Sequence, residues 1–339
     1  MLRVFAIVMA ALAAGLLSQA AFADEDSASG KVTGGVHYTI PDWFKSSFLD
    51  FEEEVFEARE QGKHVIAFLH LDECPYCARL LDENFREGEA RAFMEERFEV
   101  IAVNVLGDLP VDWIDGETYT EKELTKKLKA IGTPTIVFLD FDGNKVLQLS
   151  GYRDPGAYRH ALEYVDGKRY GTQAFADYAA SRSKETVYRL RPHPGFEPIS
   201  YFKDLDKPLA VIFEDESCVT CDDFHDNTLN HPDVLEEFTE FHVVRLDTRA
   251  DRKLVDPQGR VTTTGQWARD LGLTFRPAIV LFNDGKEMFR ADGLLYHQHL
   301  TEALRYASQG YLEYPTLDEF KTAYREALIG SGRDVDFSE

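Results

Sequence analysis

The sequence predicts an α/β protein of two tandem domains, each a central mixed β-sheet with helices on both faces, and three observations carry that expectation. The chain repeats itself: "VIAFLHLDECPYC" (65–77) matches "LAVIFEDESCVTC" (209–221), and "GTPTIVFLDFDGNKV" (132–146) matches "FRPAIVLFNDGKEM" (275–288). The offset barely drifts, from 144 residues between Cys74 and Cys218 to 143 between Pro134 and Pro277 and 142 between Asp142 and Asp284. Within each copy, short continuous apolar runs alternate with stretches of helical periodicity, as a helix-covered sheet requires. Finally, 339 residues suffice for two cores at roughly 150 residues per domain.

The elements follow in order. Arg3 makes a positive n-region, Val4 to Leu17 is apolar, and Ala21-Phe22-Ala23 is a small-x-small cleavage signal, so residues 1–23 read as an export leader and Asp24 as the mature N-terminus. The apolar run is slightly short of the roughly 18 residues that suggest an anchor. A periplasmic protein is expected. Residues 24–40 form a linker and 41–185 the first domain. Phe44, Phe48, Phe51 and Val55, spaced four, three and four apart, predict a helix over 42–60 that Gly62 stops. Val65 to Leu69 reads as a strand buried on both faces, and "FEVIAVNV" (98–105) and "FHVVRLDT" (241–248) as the next strand of each copy. Asp142-Gly143 and Asp284-Gly285 mark hairpin turns. Each copy is expected to run helix, strand, helix, strand, helix, strand, strand, helix.

Three prolines and a glycine in "RLRPHPGFEP" (189–198) place a linker at 186–200. The second domain then spans 201–312, and a C-terminal helix and tail 313–339. That helix carries Thr316 and Glu319 at capping-box spacing and lines up Leu317, Phe320, Tyr324 and Leu328, with a looser counterpart in "FADYAA" (175–180). Removing Arg3 with the leader leaves 36 of 37 basic residues against 60 acidic ones, a net charge of −24. Such a surface repels phosphate backbones and anionic lipid, which weighs against nucleic acid and, after cleavage, against the membrane.

All four cysteines fall in two CxxC pairs, Cys74/Cys77 and Cys218/Cys221, leaving none as a staple. A thiol attacks a disulfide only as the thiolate. A first cysteine placed where a strand ends and a helix begins meets unpaired backbone N–H groups and the positive helix end, which lowers its pKa. Pro75 suits the first helical position, while Val219 replaces it in the second copy; Tyr76 and Thr220 complete the intervening pairs. Cys74 and Cys218 would attack, and Cys77 and Cys221 resolve. Metal binding is the rival. Cys218, Cys221 and His225 sit at i, i+3 and i+7, but Leu81 holds the matching place in the first copy, and such a histidine more often packs. The two pairs are far beyond the roughly 15–20 residues of structural zinc spacing. No metal or cofactor is expected, and His297 and His299 read as the start of the last helix of the second copy.

On "ECPYCARL", "GTPTIVFLDFDG" and the insertion "DGETYTEKELTKKL", both copies resemble the thioredoxin superfamily, and within it the exported SoxW-like thioredoxins associated with sulfur oxidation. The resemblance implies two tandem thioredoxin folds. It implies a cis proline at Pro134, facing the CxxC and helping to bind a partner polypeptide, and by position the same at Pro277, with Thr133 and Arg276 beside them as substrate-binding residues. Ordinary trans prolines at strand starts are the plain alternative. The pattern departs from ordinary thioredoxins: Glu73 and Ser217 stand where a tryptophan precedes the first cysteine, and Phe68 and Ile212 where a buried acid accepts the resolving thiol's proton.

Asp72, Glu73 and the run Glu214-Asp215-Glu216 oppose thiolates, which favours a reductant over an oxidant. Arg276 either stabilises the Cys218 thiolate or holds a substrate anion, or pairs with a local acid; with Val219 in place of the proline as well, the second copy is expected to be the more oxidising. The function expected is an exported thiol-disulfide oxidoreductase acting on protein or sulfur-compound thiols and served by an upstream redox partner. A client-binding module of the isomerase or chaperone kind, or a copper or zinc carrier, is the alternative. No segment marks a dimerisation domain.

Overall fold

A computed structural model of the chain describes residues 29–130, 132–182 and 186–337; the expected leader and its cleavage signal lie outside them. After a short strand β1 (Val32–Thr33), the first domain runs α1 (Phe51–Glu60), β2 (His64–His70), α2 (Pro75–Leu80), α3 (Gly88–Arg97) and β3 (Phe98–Asn104). The segment resembling the inserted one folds as a hairpin, β4 (Pro110–Asp112) with β5 (Thr118–Thr120), feeding α4 (Glu121–Lys127), where Thr120 and Glu123 close a capping box. Then come β6 (Thr135–Leu139), β7 (Lys145–Ser150), α5 (Pro155–Asp166) and α6 (Phe175–Arg182). The sheet order is β3-β2-β6-β7, with β3 parallel to β2 and the other pairs antiparallel. All seven residues of β2 are buried because helices cover both faces: Ile66 and Phe68 enter one apolar cluster, Val65, Ala67 and Leu69 the other.

The second domain repeats this frame with β8 (Leu209–Glu214), α7 (Cys221–Asp223), α8 (Pro232–Phe238), β9 (His242–Asp247), the hairpin β10 (Lys253–Val255) and β11 (Val261–Thr263), α9 (Thr264–Asp270), β12 (Ala278–Asn283), β13 (Lys286–Asp292) and α10 (His297–Ser308). Its sheet order is β9-β8-β12-β13, the same arrangement. Asp284 and Gly285 both take positive φ, 47° and 74°, whereas at the first hairpin only Gly143 does, at 80°. α11 (Leu317–Gly330) and β14 (Val335–Asp336) end the chain, and β14 pairs in parallel with β1, tying the tail to the N-terminal segment.

Two expectations need correcting. The helix expected over 42–60 begins only at Phe51. Asp50 caps it from an extended backbone by accepting the Glu53 N–H, and Leu49 just before it sits at φ 66°, so no helix extends further back. Phe44 therefore leaves the stripe and packs against Phe68 and Phe85 on the opposite side of the sheet, and Phe48 points wholly into solvent. The second copy has no leading helix at all. Between Phe202 and β8 only six residues remain, containing Asp204 at φ 55° and Pro208, too few for the turns of α1. Phe202, with Ile199 and Leu205 beside it, packs on this face, 5.6 Å from the Trp267 ring, as Phe51 does 4.7 Å from Trp113.

The segment between the domains is no tether. Val187 and Tyr188 both donate their N–H to the Glu216 carbonyl, at 2.8 and 3.1 Å, and Glu197 donates to Val243 at 2.8 Å, which lays the chain along the second domain.

α11 is docked by charge. Its Arg325 grips the Glu302 carboxylate of α10 in a bidentate pair at 2.6 and 2.7 Å, and Glu302 is fully buried. Burial pushes this carboxyl up, but His299 and Arg325 outweigh it and bring it down to about 2. A depressed carboxylate stabilises the fold above its unfolded pKa of about 4.3 and loses that contribution as pH falls toward the folded value. Arg325→Met should therefore cost about 3 kcal/mol at neutral pH. In denaturant unfolding the gap between variant and parent should shrink as pH is lowered from about 4.3 to about 2; a gap unchanged with pH would contradict the assignment.

Candidate functional site

The first pair sits where β2 hands over to α2. Helix N-termini leave backbone N–H groups without partners, and the residue before Pro75 must supply an acceptor. Cys74 does so: it is the N-cap, at φ −78° and ψ 113°, and its Sγ accepts the Cys77 N–H at 3.1 Å. From the other side Thr133 Oγ1 donates to the same sulfur at 3.4 Å. Cys74 and Cys77 form a disulfide, Cys77 wholly buried and Cys74 6% exposed. The Thr133-Pro134 and Arg276-Pro277 peptides are both cis. The structure thus gathers Cys74, Pro75, Tyr76, Cys77, Thr133 and Pro134 in one place.

The second pair is built differently. Cys218 and Cys221 are again disulfide-bonded, with Cys218 only 2% exposed. Without a proline at 219 the helix starts two residues later than in the first copy, at Cys221, with Thr220 as N-cap and no side-chain cap bond. Val219 is left exposed. The expected placement of the first cysteine at a helix start therefore holds for Cys74 and fails for Cys218. Nor is Arg276 free to serve the sulfur. Its Nε lies 3.4 Å from Asp215 and 3.0 Å from Thr248 Oγ1, the local-acid outcome of the two expected. Burial pushes the Asp215 carboxyl up, yet Arg276 and hydrogen bonds from Ser217 and Thr248 hold it below its ordinary value. Asp215 in turn shapes the approach to Cys218 by accepting the Ser217 N–H at 2.9 Å.

His225, the suggested third metal ligand, is committed elsewhere. Its Nε2 lies 2.7 Å from the buried Glu214 carboxylate, whose other oxygen accepts the Tyr188 hydroxyl at 3.2 Å. Tyr188 packs directly in the cluster of Cys218 and Cys221. In the first domain the same place, four residues before the first cysteine, holds His70, whose Nδ1 is 2.9 Å from the Tyr38 hydroxyl; burial pushes His70 down and Tyr38 up. These polar groups escaped the sequence reasoning, although "GVHYTI" and "TVYRL" each place a tyrosine within two residues of a valine ahead of each pair. Each such strap crosses the cysteine loop: Val36 donates to the Glu73 carbonyl at 3.0 Å as Val187 does to Glu216. Beside Cys74 the strap leaves an open groove of about 720 Å³ bordered by Gly35, Val36, Pro75, Ala78, Arg79 and Asp82. Among the described residues no three His, Cys, Asp or Glu side chains gather as a metal site.

A sulfur with two donors aimed at it, a neighbouring cysteine bonded to it and a groove alongside is equipped for thiol-disulfide exchange. Residues 51–166 and 197–308 match the thioredoxin-like domain family. Among solved structures, the chain is similar to a thioredoxin-fold protein from Helicobacter pylori, at 20% identity over 38% of this chain and 92% of that one with a TM-score of 0.31. A thioredoxin from Thermus thermophilus gives 27% identity over 34% and 83%, TM-score 0.27, and a disulphide isomerase from Xylella fastidiosa Temecula1 gives 18% over 43% and 98%, TM-score 0.26. No curated protein matches the chain. With both matched regions carrying the cysteine pairs and the four-stranded sheets just described, the chain belongs to the thioredoxin-like family, twice over.

Proposed function

We propose that the protein is an exported, periplasmic thiol-disulfide oxidoreductase that reduces disulfides of client proteins or sulfur compounds, recharged by an upstream redox partner. The observation that carries the exchange chemistry is the Cys74 sulfur as helix N-cap, held by the Cys77 N–H at 3.1 Å and Thr133 Oγ1 at 3.4 Å; the reducing direction rests on the acids Asp72 and Glu73 ahead of the pair. Both donors strengthen as charge develops on sulfur, so they favour the thiolate over the disulfide. In the forward cycle the Cys74 thiolate attacks a client disulfide, forming a mixed disulfide and releasing one client thiolate. Cys77 then attacks Cys74, closing the ring and freeing the second client sulfur. The groove at Gly35, Val36 and Pro75 receives the client, and Thr133, on the cis peptide to Pro134, reaches the sulfur beside it. Export rests on the leader reading, and sulfur-compound clients on the resemblance to SoxW-like thioredoxins.

The asymmetry of the pairs sets the order of potentials. A couple whose reduced form is stabilised is the more oxidising. Cys74 has a capped helix start and a hydroxyl donor, whereas Cys218 lies ahead of its helix and Arg276 is occupied by Asp215. This reverses the order expected from Arg276: the first domain is the more oxidising of the two, and the second the stronger reductant. A metal carrier finds no support in His225, whose imidazole is taken by Glu214.

Cys77→Ala should accumulate a covalent client complex through Cys74 when the protein is mixed with a disulfide substrate and quenched with acid, and Cys221→Ala one through Cys218; no trapped species from either variant would end the enzymatic reading. Thr133→Val should raise the Cys74 pKa by about one unit, the loss of one hydrogen bond to a charged acceptor. Iodoacetamide alkylation against pH, in a Cys77→Ala background, reads that shift, and an unmoved profile would show that the hydroxyl does not serve the sulfur. Glutathione redox titration of the whole protein, with each pair read separately by mass spectrometry, should place Cys74/Cys77 at the higher potential; the opposite order would return the assignment to Arg276.

A further inference from the structure

The elements that carry the two cysteine pairs touch each other. Tyr76, between Cys74 and Cys77, stacks on Tyr296 of the second domain with ring centroids 3.6 Å apart and planes 13° from parallel. Arg79 reaches Asp223 at 3.3 Å, and both lie five residues beyond the first cysteine of their own copy. Arg153 reaches Asp292 at 3.4 Å and lies over the Phe275 ring at 4.8 Å, just ahead of the second cis proline. Gly293, first after β13, meets the counterpart loop after β7 so closely that an added Cβ would stand 3.3 Å from the Ser150 carbonyl and 3.5 Å from that of Tyr152.

Two of these contacts bring matching parts together, Arg79 with Asp223 and the loop after the last strand with its own repeat, whereas Tyr76 on Tyr296 joins the first cysteine loop to the start of α10. The two matched contacts follow the pattern of an isologous, two-fold interface, here made between two halves of one chain. One apolar cluster containing Cys74, Tyr76 and Cys77 continues through Leu294, Tyr296 and Leu300. The side chains that surround the first pair are thus among those that join the domains, while Cys218 and Cys221 pack with Tyr188 in a cluster of their own, linked to the interface through Asp223. Cys74 and Cys218 are 6% and 2% exposed, and the open groove lies on the first domain.

We propose that the protein passes a disulfide between its own two cysteine pairs across this interface, the second domain reducing the first. The inference rests on the exchange chemistry proposed above and adds the partner of that chemistry, the other half of the chain. The Cys218 thiolate attacks the Cys74 sulfur of the oxidised first domain; the Cys74–Cys77 bond breaks and its electron pair leaves on Cys77, which takes up a proton. Cys221, as thiolate, then attacks Cys218, closing Cys218–Cys221 and releasing Cys74 as a thiolate held by the Cys77 N–H and Thr133. One dithiol is oxidised, one disulfide is reduced, and no outside reactant enters. The first domain, with its groove, then meets the client, and the buried second pair stores the electrons.

The test uses the full chain with Cys77→Ala and Cys221→Ala together, which leaves one attacking sulfur in each domain. Oxidised glutathione is added to the reduced variant, and the products are digested and read by mass spectrometry. The expected product is a Cys74–Cys218 crosslink within one molecule, its yield unchanged on about hundredfold dilution because the reaction is intramolecular. Gly293→Val, added to the same variant, sets a branched side chain against the Ser150 and Tyr152 carbonyls and should lower the crosslink yield severalfold. Glutathione adducts on both sulfurs with no crosslink would overturn the relay and leave the exchange chemistry standing. A crosslink found only between molecules would overturn the relay as well. If neither sulfur reacts, the exchange reading and the relay fall together.

Discussion

Everything at the site depends on one unpaired end. A helix that begins directly after a buried strand exposes N–H groups with no backbone acceptor, and at the first domain the acceptor supplied is a cysteine sulfur. A group already receiving a hydrogen bond in the disulfide form receives a stronger one as a thiolate, so the same contact that caps the helix prepares the nucleophile. Pro75 makes this arrangement possible, since it fixes the backbone for the first helical position and has no N–H of its own to satisfy. The second domain shows what happens without it. Val219 imposes no such geometry, the helix starts at Cys221, and Cys218 is left ahead of the dipole.

Each pair is then finished by its own polar surroundings. In the first domain His70, its pKa lowered by burial, and the Tyr38 hydroxyl lie behind the loop; in the second a buried Glu214 shared by His225 and Tyr188 takes that place. The acidic run ahead of Cys218 looked, as sequence, like repulsion of a thiolate. In the fold Glu214 is engaged by His225 and Tyr188 and Asp215 by Arg276, so much of that charge is answered before it reaches the sulfur. The repeat has thus diverged most where it matters for potential, while keeping the sheet order unchanged.

Much of this was legible in the sequence because repetition and period report backbone geometry directly. The continuous run Val65–Leu69 could be nothing but a doubly covered strand, and the Asp-Gly turns fixed both hairpins. The first helix was misread because Phe44 and Phe48 continue the spacing of Phe51 and Val55 by coincidence; the cap at Asp50 and the positive φ of Leu49 decide where it starts. The missing helix of the second copy was hidden by a repeat that begins only at its strand. Tyr38, His70, Tyr188 and Glu214 were passed over because their partners come from straps distant in sequence, and no local pattern announces a hydrogen bond across 26 or 32 residues. The contact of the two domains through Tyr76 and Tyr296 was equally beyond a reading of either copy alone.

The central claim is that the helix start at Cys74 activates its sulfur where the later helix start at Cys218 does not. The most direct measurement is the pH dependence of thiol alkylation at both positions in one preparation, the reduced Cys77→Ala/Cys221→Ala protein, followed residue by residue. The account predicts a Cys74 pKa clearly below the ordinary thiol value of about 8.5 and below that of Cys218. An unshifted Cys74, or a Cys218 that ionises first, would contradict it.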